Sequence, residues 1–501
     1  MLKDSRPRTL IMLLGGKASQ IMIHEQEASS LRRLGWLSAS KVLQSLLSFV
    51  ALSYLARVLG PGFFGILGFA TQVVAYFVLA SSLGIPTFIM REIAASGQPG
   101  KSIGRAIPAT LILAVLCYLL LIVGTSPLLL HLSVMERAVV DIMGLQVLTN
   151  ALSLSAALSG ARLTNISAWA SLIGTLLRVG LILLCIHHPS DLPELCALTI
   201  LGAAATVAWQ WAGMTRLTSI EWRFSLSDFY HIIKQSLLLS ASTVMTQIYG
   251  STDIILLGWL VNMQVVGYYS AAYRIPLFLA GFSVIYGQIL IPGATRLYLR
   301  NPGLLKQKLR SNLNYTAVAV IPIAVGGSVL AHPIVVAVYS GRFSPAATPM
   351  AILMWSWAIA FITLHYGQVL IAIGQEKIFA QGIFLGAVLN VLLNLWFIPP
   401  WGAAGSAIAI TVTEFFILIF MGWKVCRILG AYGPNFSVIM RTTLNAGTMG
   451  GYLLWSRSHE SWPFAIASAM VLYGILMIVT RTLTKKDWSQ ISIALSRPPK
   501  R

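Results

Sequence analysis

Hydrophobic residues fall in long unbroken runs that stop at short polar connections and then resume, from about residue 36 to residue 481. Each run holds roughly 18 to 25 apolar residues, enough to cross a hydrocarbon core of about 30 Å as one helix. About fourteen spans are expected, at 36–58, 64–85, 104–124, 137–159, 165–186, 192–214, 235–260, 265–293, 312–332, 346–373, 378–398, 403–423, 438–456 and 462–480. The pattern predicts an all-α integral membrane protein.

Composition agrees. The chain is 57% apolar and 10% charged with a mean hydropathy of +0.78, where a soluble globule carries about 25% charged residues. Charge placement adds orientation. Of 35 Lys and Arg residues, 28 fall at the chain ends or on even-numbered connections, only Arg57, Arg137, Arg342 and Arg457 fall on odd ones, and Lys41, Arg178 and Arg274 lie inside spans. The positive-inside rule then predicts both termini in the cytoplasm, for a multi-pass protein of the cell inner membrane. Eight acidic residues share that side, so its excess equals the whole formal charge of +20. Insertion and anionic membrane lipids account for that charge, and no nucleic-acid partner is expected.

The spans divide the chain into a cytoplasmic arm (1–35), an amino-terminal six-helix lobe (36–215), a cytoplasmic linker (216–234), a second six-helix lobe (235–428), two additional spans (429–481) and a basic tail (482–501). A weak internal repeat supports the lobes: LARVLGPGFFGILGFATQV from Leu55 resembles LLGWLVNMQVVGYYSAAYRI from Leu256, with Gly65 on Gly267 and Ala70 on Ala272. Six is even, so both lobes share one orientation, the arrangement of parallel-repeat transporters. Connections are too short to hold acid and base groups beside a substrate, and no nucleotide-binding G-x-x-x-x-G-K-[ST] motif is present. Cys117, Cys185, Cys196 and Cys426 are isolated, which indicates neither disulfides nor a zinc site. No catalytic residue, metal or cofactor is predicted.

Ionisable residues at membrane depth cost several kcal/mol and mark cavities or partners. Five qualify: Lys41, Arg178, Asp253, Arg274 and Glu414. Lys41, Arg178 and Arg274 are candidates for a substrate cavity, although Lys41 is close enough to a helix end to snorkel. Asp253 and Glu414 are candidates for ion coupling or for ion pairs with Arg274 or Arg178. Asn390 and Asn394, one turn apart, are expected to hydrogen-bond between helices.

Four segments carry a resemblance: LARVLGPGFFGILGFA, DIILLGWLVNMQVVGYYSAAYRI, VYSGRFSPAATPMAILMWS and GQEKIFAQGIFLGAVLNVLLNLWFIPPWGAAGSAIA. With them the chain, over roughly residues 30–430, resembles the polysaccharide-transport branch of the multidrug/oligosaccharidyl-lipid/polysaccharide exporter superfamily. The resemblance implies two six-helix lobes in a V, two extra carboxy-terminal helices, and a cavity lined chiefly by the first, second, seventh and eighth spans. It implies a flippase that moves undecaprenyl-diphosphate-type oligosaccharide across the inner membrane for O-antigen or exopolysaccharide synthesis by alternating access. Lys41 and Arg274 would then face the diphosphate, and polysaccharide polymerase or assembly proteins would be partners. The alternatives are a drug or cation antiporter of the same fold and an integral membrane enzyme of envelope synthesis.

Overall fold

The computed structural model describes the chain path over residues 7–126, 132–223, 225–430, 432–456 and 462–482. Side chains are described over those residues from Ser40 onward, except 238–239, 241–243, 246, 282–285, 288–289 and 462. The expected tail beyond Thr482 lies outside the described residues, and the expected arm is described as backbone only, from Pro7.

Helices follow the apolar runs: α1 Pro7–Ser82, α2 Ile85–Ser96, α3 Pro99–Gly124, α4 Val134–Ala151, α5 Ser155–Gly160, α6 Thr164–Cys185 and α7 Leu192–Thr215. They continue as α8 Leu226–Leu260, α9 Met263–Arg300, α10 Pro302–Val329, α11 Ala331–Tyr339, α12 Ala347–Ala372, α13 Glu376–Leu429, α14 Phe436–Ser456 and α15 Trp462–Val479. Among the described residues eight stretches are long and apolar enough to cross a membrane. Two of them are hairpins. In α1 Gly60 takes φ 71° and ψ 173°, and in α13 Gly402 takes φ 52° and ψ −127°, backbone that L side chains resist. Pro61 follows Gly60 where a missing N–H costs a new helix nothing. At Gly402 the reversal is tight: a Cβ on Gly405 would sit 2.0 Å from the Phe397 carbonyl oxygen, whereas eight residues of straight helix span about 12 Å.

Divided at these glycines, the helices overlap every expected span, with three differences. The linker is shorter than 216–234, because Ser225 caps α8 by accepting from the Ser227 N–H and the helix starts at Leu226. The fourth run is broken between α4 and α5 at 152–154, and the ninth between α10 and α11 at Leu330. At the first of these breaks the side chain of Gln210 replaces lost helical bonding, its Oε1 accepting from the Leu154 N–H at 2.8 Å.

Aromatic residues flank the second arm of α13. Trp401 is exposed at one end, and Trp423 at the other lies 4.9 Å beneath Lys424 and 4.5 Å beneath Arg427. From Ala403, just past the reversal, to Trp423 the arm runs 20 residues, about 30 Å of helix, matching a hydrocarbon core of about 30 Å.

The amino-terminal half (α1–α7) meets the carboxy-terminal half (α8–α13) at both ends. At the Gly60 end backbones touch directly: a Cβ on Gly65 would lie 1.7 Å from the Met263 carbonyl oxygen, and one on Gly267 would lie 1.9 Å from that of Pro61. The Arg57 guanidinium donates there to the carbonyls of Ala337 and Val338 that end α11. At the other end Arg105 on α3 pairs with Asp228 on α8 and, at 3.5 Å, with Glu92 on α2. Its guanidinium holds the Asp228 carboxyl below the usual carboxylate range. The linker lies along α3, where Gly100 and Gly104 let the backbone of Ser219 and Glu221 approach and the Glu221 N–H reaches the Gly100 carbonyl at 3.4 Å.

Candidate functional site

Between these two contacts lies a cavity of about 320 Å³ bounded by α1, α4, α6, α7 and α9. Both arms of α1 reach it, since Ser48 and Thr71 face the same space, which the reversal at Gly60 makes possible. Arg178 enters from α6 and Arg274 from α9, so the two halves each contribute a guanidinium. Nη2 of Arg178 donates to Ser48 Oγ at 3.2 Å. Among the described residues the lining holds no carboxylate, and neither arginine forms an ion pair. Two half-buried cations without counter-charge are suited chemically to an anion, because negative charge would offset their partial desolvation.

Lys41 is not part of this lining. It is exposed on α1, seven residues before Ser48, which places it on the same helical face about 10 Å closer to the end of the span. A long aliphatic stem that near the edge of the apolar span can carry its ammonium to the interface.

Asp253 and Glu414 lie in the other half and are buried, 3% and 8% exposed. The expected ion pairs are absent among the described residues. Asp253 Oδ2 instead accepts from the Tyr269 hydroxyl at 2.7 Å and Oδ1 from Asn394 Nδ2 at 3.1 Å. Glu414 accepts from the Tyr249 hydroxyl. The reason is geometric: Arg274 follows Tyr269 by five residues on α9 and points from another face into the cavity, leaving only neutral donors on the α8 and α13 side. Asn394 also donates to Asn390 Oδ1 at 3.0 Å, so this amide couples α13 to α8. Asn390 Nδ2 and Asn394 Oδ1 remain buried without a partner among the described residues, which leaves each at a cost of about 1–3 kcal/mol.

Ser48, Gln146, Ser270 and the tyrosines 249 and 269 were not candidates from sequence. A search for ionisable residues at depth passes over them. The available signal was spacing: Ser270 precedes Arg274 by one turn, and Gln146 is an amide inside the apolar run DIMGLQVL.

Comparison with known proteins places this geometry in context. A family model described as polysaccharide biosynthesis protein matches residues 30–297. The chain is 22% identical over 364 residues to the probable low-salt glycan biosynthesis flippase of Haloferax volcanii, covering 72% of this chain and 76% of that one. Its fold is similar to that of the lipid II flippase MurJ in an inward closed conformation, with a TM-score of 0.73 at 15% identity, covering 89% of this chain and 98% of the other. It is also similar to an inward-facing multidrug resistance MATE family transporter of the MOP superfamily, with a TM-score of 0.62 at 14% identity over 78% and 96% of the two chains.

Proposed function

Because this chain belongs to the polysaccharide biosynthesis protein family, we propose that it is a flippase for lipid-linked oligosaccharide, carrying undecaprenyl-diphosphate-type units across the bacterial inner membrane by alternating access. The observation that carries this reading is the pair Arg178 and Arg274, one from each half, facing one cavity with no carboxylate among its lining residues. A diphosphate cannot enter hydrocarbon uncompensated, and two guanidinium groups offer bidentate, charge-assisted hydrogen bonds to it. The glycan biosynthesis flippase among the relatives supports a flippase reading, and the fold shared with MurJ is consistent with it.

Lys41 serves as an outer basic residue on the helical face leading to Ser48, meeting the head group before the arginines do. Both termini face the cytoplasm, as the 28 basic residues on that side support, so the cargo is collected there and released outside for O-antigen or exopolysaccharide assembly. Polymerase or assembly proteins would then consume it. Asp253 and Glu414, buried among neutral donors, are candidates to couple the cycle to a proton or sodium gradient. A multidrug resistance transporter of the MATE family shares the fold, but the alternative of a drug or cation antiporter is disfavoured here, because a cavity carrying two arginines repels cations.

Deletion tests the proposal. Lipid-linked sugar should accumulate in the cytoplasmic leaflet, measured by access of a membrane-impermeant lectin to right-side-out and inverted vesicles. Accumulation in the outer leaflet would overturn it.

A further inference from the structure

We infer that Gln146 reads the sugar next to the diphosphate, so that the cavity has a neutral specificity element beside its two cations. The inference rests on the lipid-diphosphate reading above and adds a substrate class to it: cargo whose first sugar presents a neutral hydrogen-bonding substituent, a hydroxyl or an acetamido group.

The argument is one of elimination among the polar groups around the cavity. Thr71 and Thr199 give their hydroxyl protons to their own helices, at 2.7 Å to the Leu67 carbonyl and 2.9 Å to that of Leu195. Ser48 accepts from Arg178. The Ser270 hydroxyl is buried against Gly68, where a Cβ would come within 2.6 Å of it. Gln146 remains. Its Nε2 has only the thioether of Met143 at 3.9 Å, a weak acceptor, and its Oε1 has no partner among the described residues. The half-buried amide therefore offers one acceptor and two donors to the cavity from α4, which packs against α1 and α7. A primary amide pairs reciprocally with vicinal hydroxyls or an acetamido group, because it donates and accepts in one plane.

Size supports a local role. About 320 Å³ is at the small end of ligand sites, which run from about 300 to 1,000 Å³. In this state the volume suits the head of the cargo, the diphosphate and its first sugar. A site that hydrogen-bonds a substrate group discriminates sharply against an analogue lacking it, because the buried polar group is then left unpaired.

The test uses full-length protein in proteoliposomes, with two fluorescent prenyl diphosphate lipids, one bearing N-acetylglucosamine and one bearing no sugar. Gln146→Leu should slow flipping of the sugar-bearing lipid about tenfold, the loss of one reciprocal amide contact, and leave the bare lipid diphosphate unchanged. Gln146→Asn, which keeps the amide, should recover part of the difference. Equal slowing of both lipids, or no effect on either, overturns the inference. Arg274→Ala should slow both. If it slows neither, the cavity does not hold the diphosphate, a failure of the underlying reading that is separable from the result for Gln146. Thermal unfolding in detergent checks that each variant is folded.

Discussion

Ser48 accepts a hydrogen bond from Arg178 across the contact between α1 and α6, at 3.2 Å. That bond sets the direction in which a cation on one helix faces a cavity bounded largely by another. It also gives the first arm of α1 a hold on the binding chemistry.

Arg178→Ala should therefore cut flipping of lipid-linked oligosaccharide about tenfold to hundredfold, corresponding to about 1.5–3 kcal/mol for a hydrogen bond to a charged group. Arg178→Lys should lose less, though a lysine keeps the charge without the fork. Ser48→Ala should have the smallest effect. Rates in proteoliposomes at matched protein level check the order, and Arg178→Ala at the wild-type rate contradicts the electrostatic role.

For the buried carboxylates, Asp253→Asn and Glu414→Gln keep shape and remove titration. If Asp253 or Glu414 couples transport to an ion gradient, the corresponding variant should flip cargo at a rate independent of the imposed proton or sodium gradient. Gradient dependence retained in both variants would assign the two carboxylates to hydrogen bonding within the helix bundle alone.

Acid should weaken the clamp at the linker end. Arg105 depresses the Asp228 pKa, so the pair is intact at neutral pH and lost as pH falls through the depressed value. Hydrogen exchange of the linker along α3 should rise on acidification in wild type. In Asp228→Asn it should already be raised at neutral pH.

Gly65→Val should prevent the halves from seating, since even a Cβ there falls 1.7 Å from a carbonyl oxygen that cannot move without displacing α9. A melting temperature lowered by several degrees, or loss of cross-linking between cysteines placed on α1 and α9, is the expected result. Gly62→Ala, where a Cβ meets nothing within 4 Å, is the matched control.

Much of this architecture was legible because the bilayer simplifies the code: an apolar run of sufficient length has few fates. Arg178 and Arg274 were legible for the same reason, as charges where charge is costly. Their convergence was not, since it depends on the reversal at Gly60 and on packing between helices far apart in the chain. Ion pairing was one of two readings for Asp253, and its neutral partners were not legible, because a sequence shows which opposite charges exist but not which helical face each occupies. Gln146 and Ser48 were invisible to a search for ionisable groups, being neutral residues of ordinary type whose importance comes from what surrounds them.

The backbone crossing of Gly65 and Gly267 sets the two ends of the molecule apart in kind. One end is sealed chiefly by shape, peptide against peptide, with Arg57 held on neutral carbonyls and little that solvent ions can shield. The other is fastened by Arg105, Glu92 and Asp228, whose attraction fades as the Debye length shrinks to about 3 Å near 1 M ionic strength. Raising the salt should therefore act as a one-sided wedge, loosening the linker end while the glycine crossing stays shut and serves as the fulcrum.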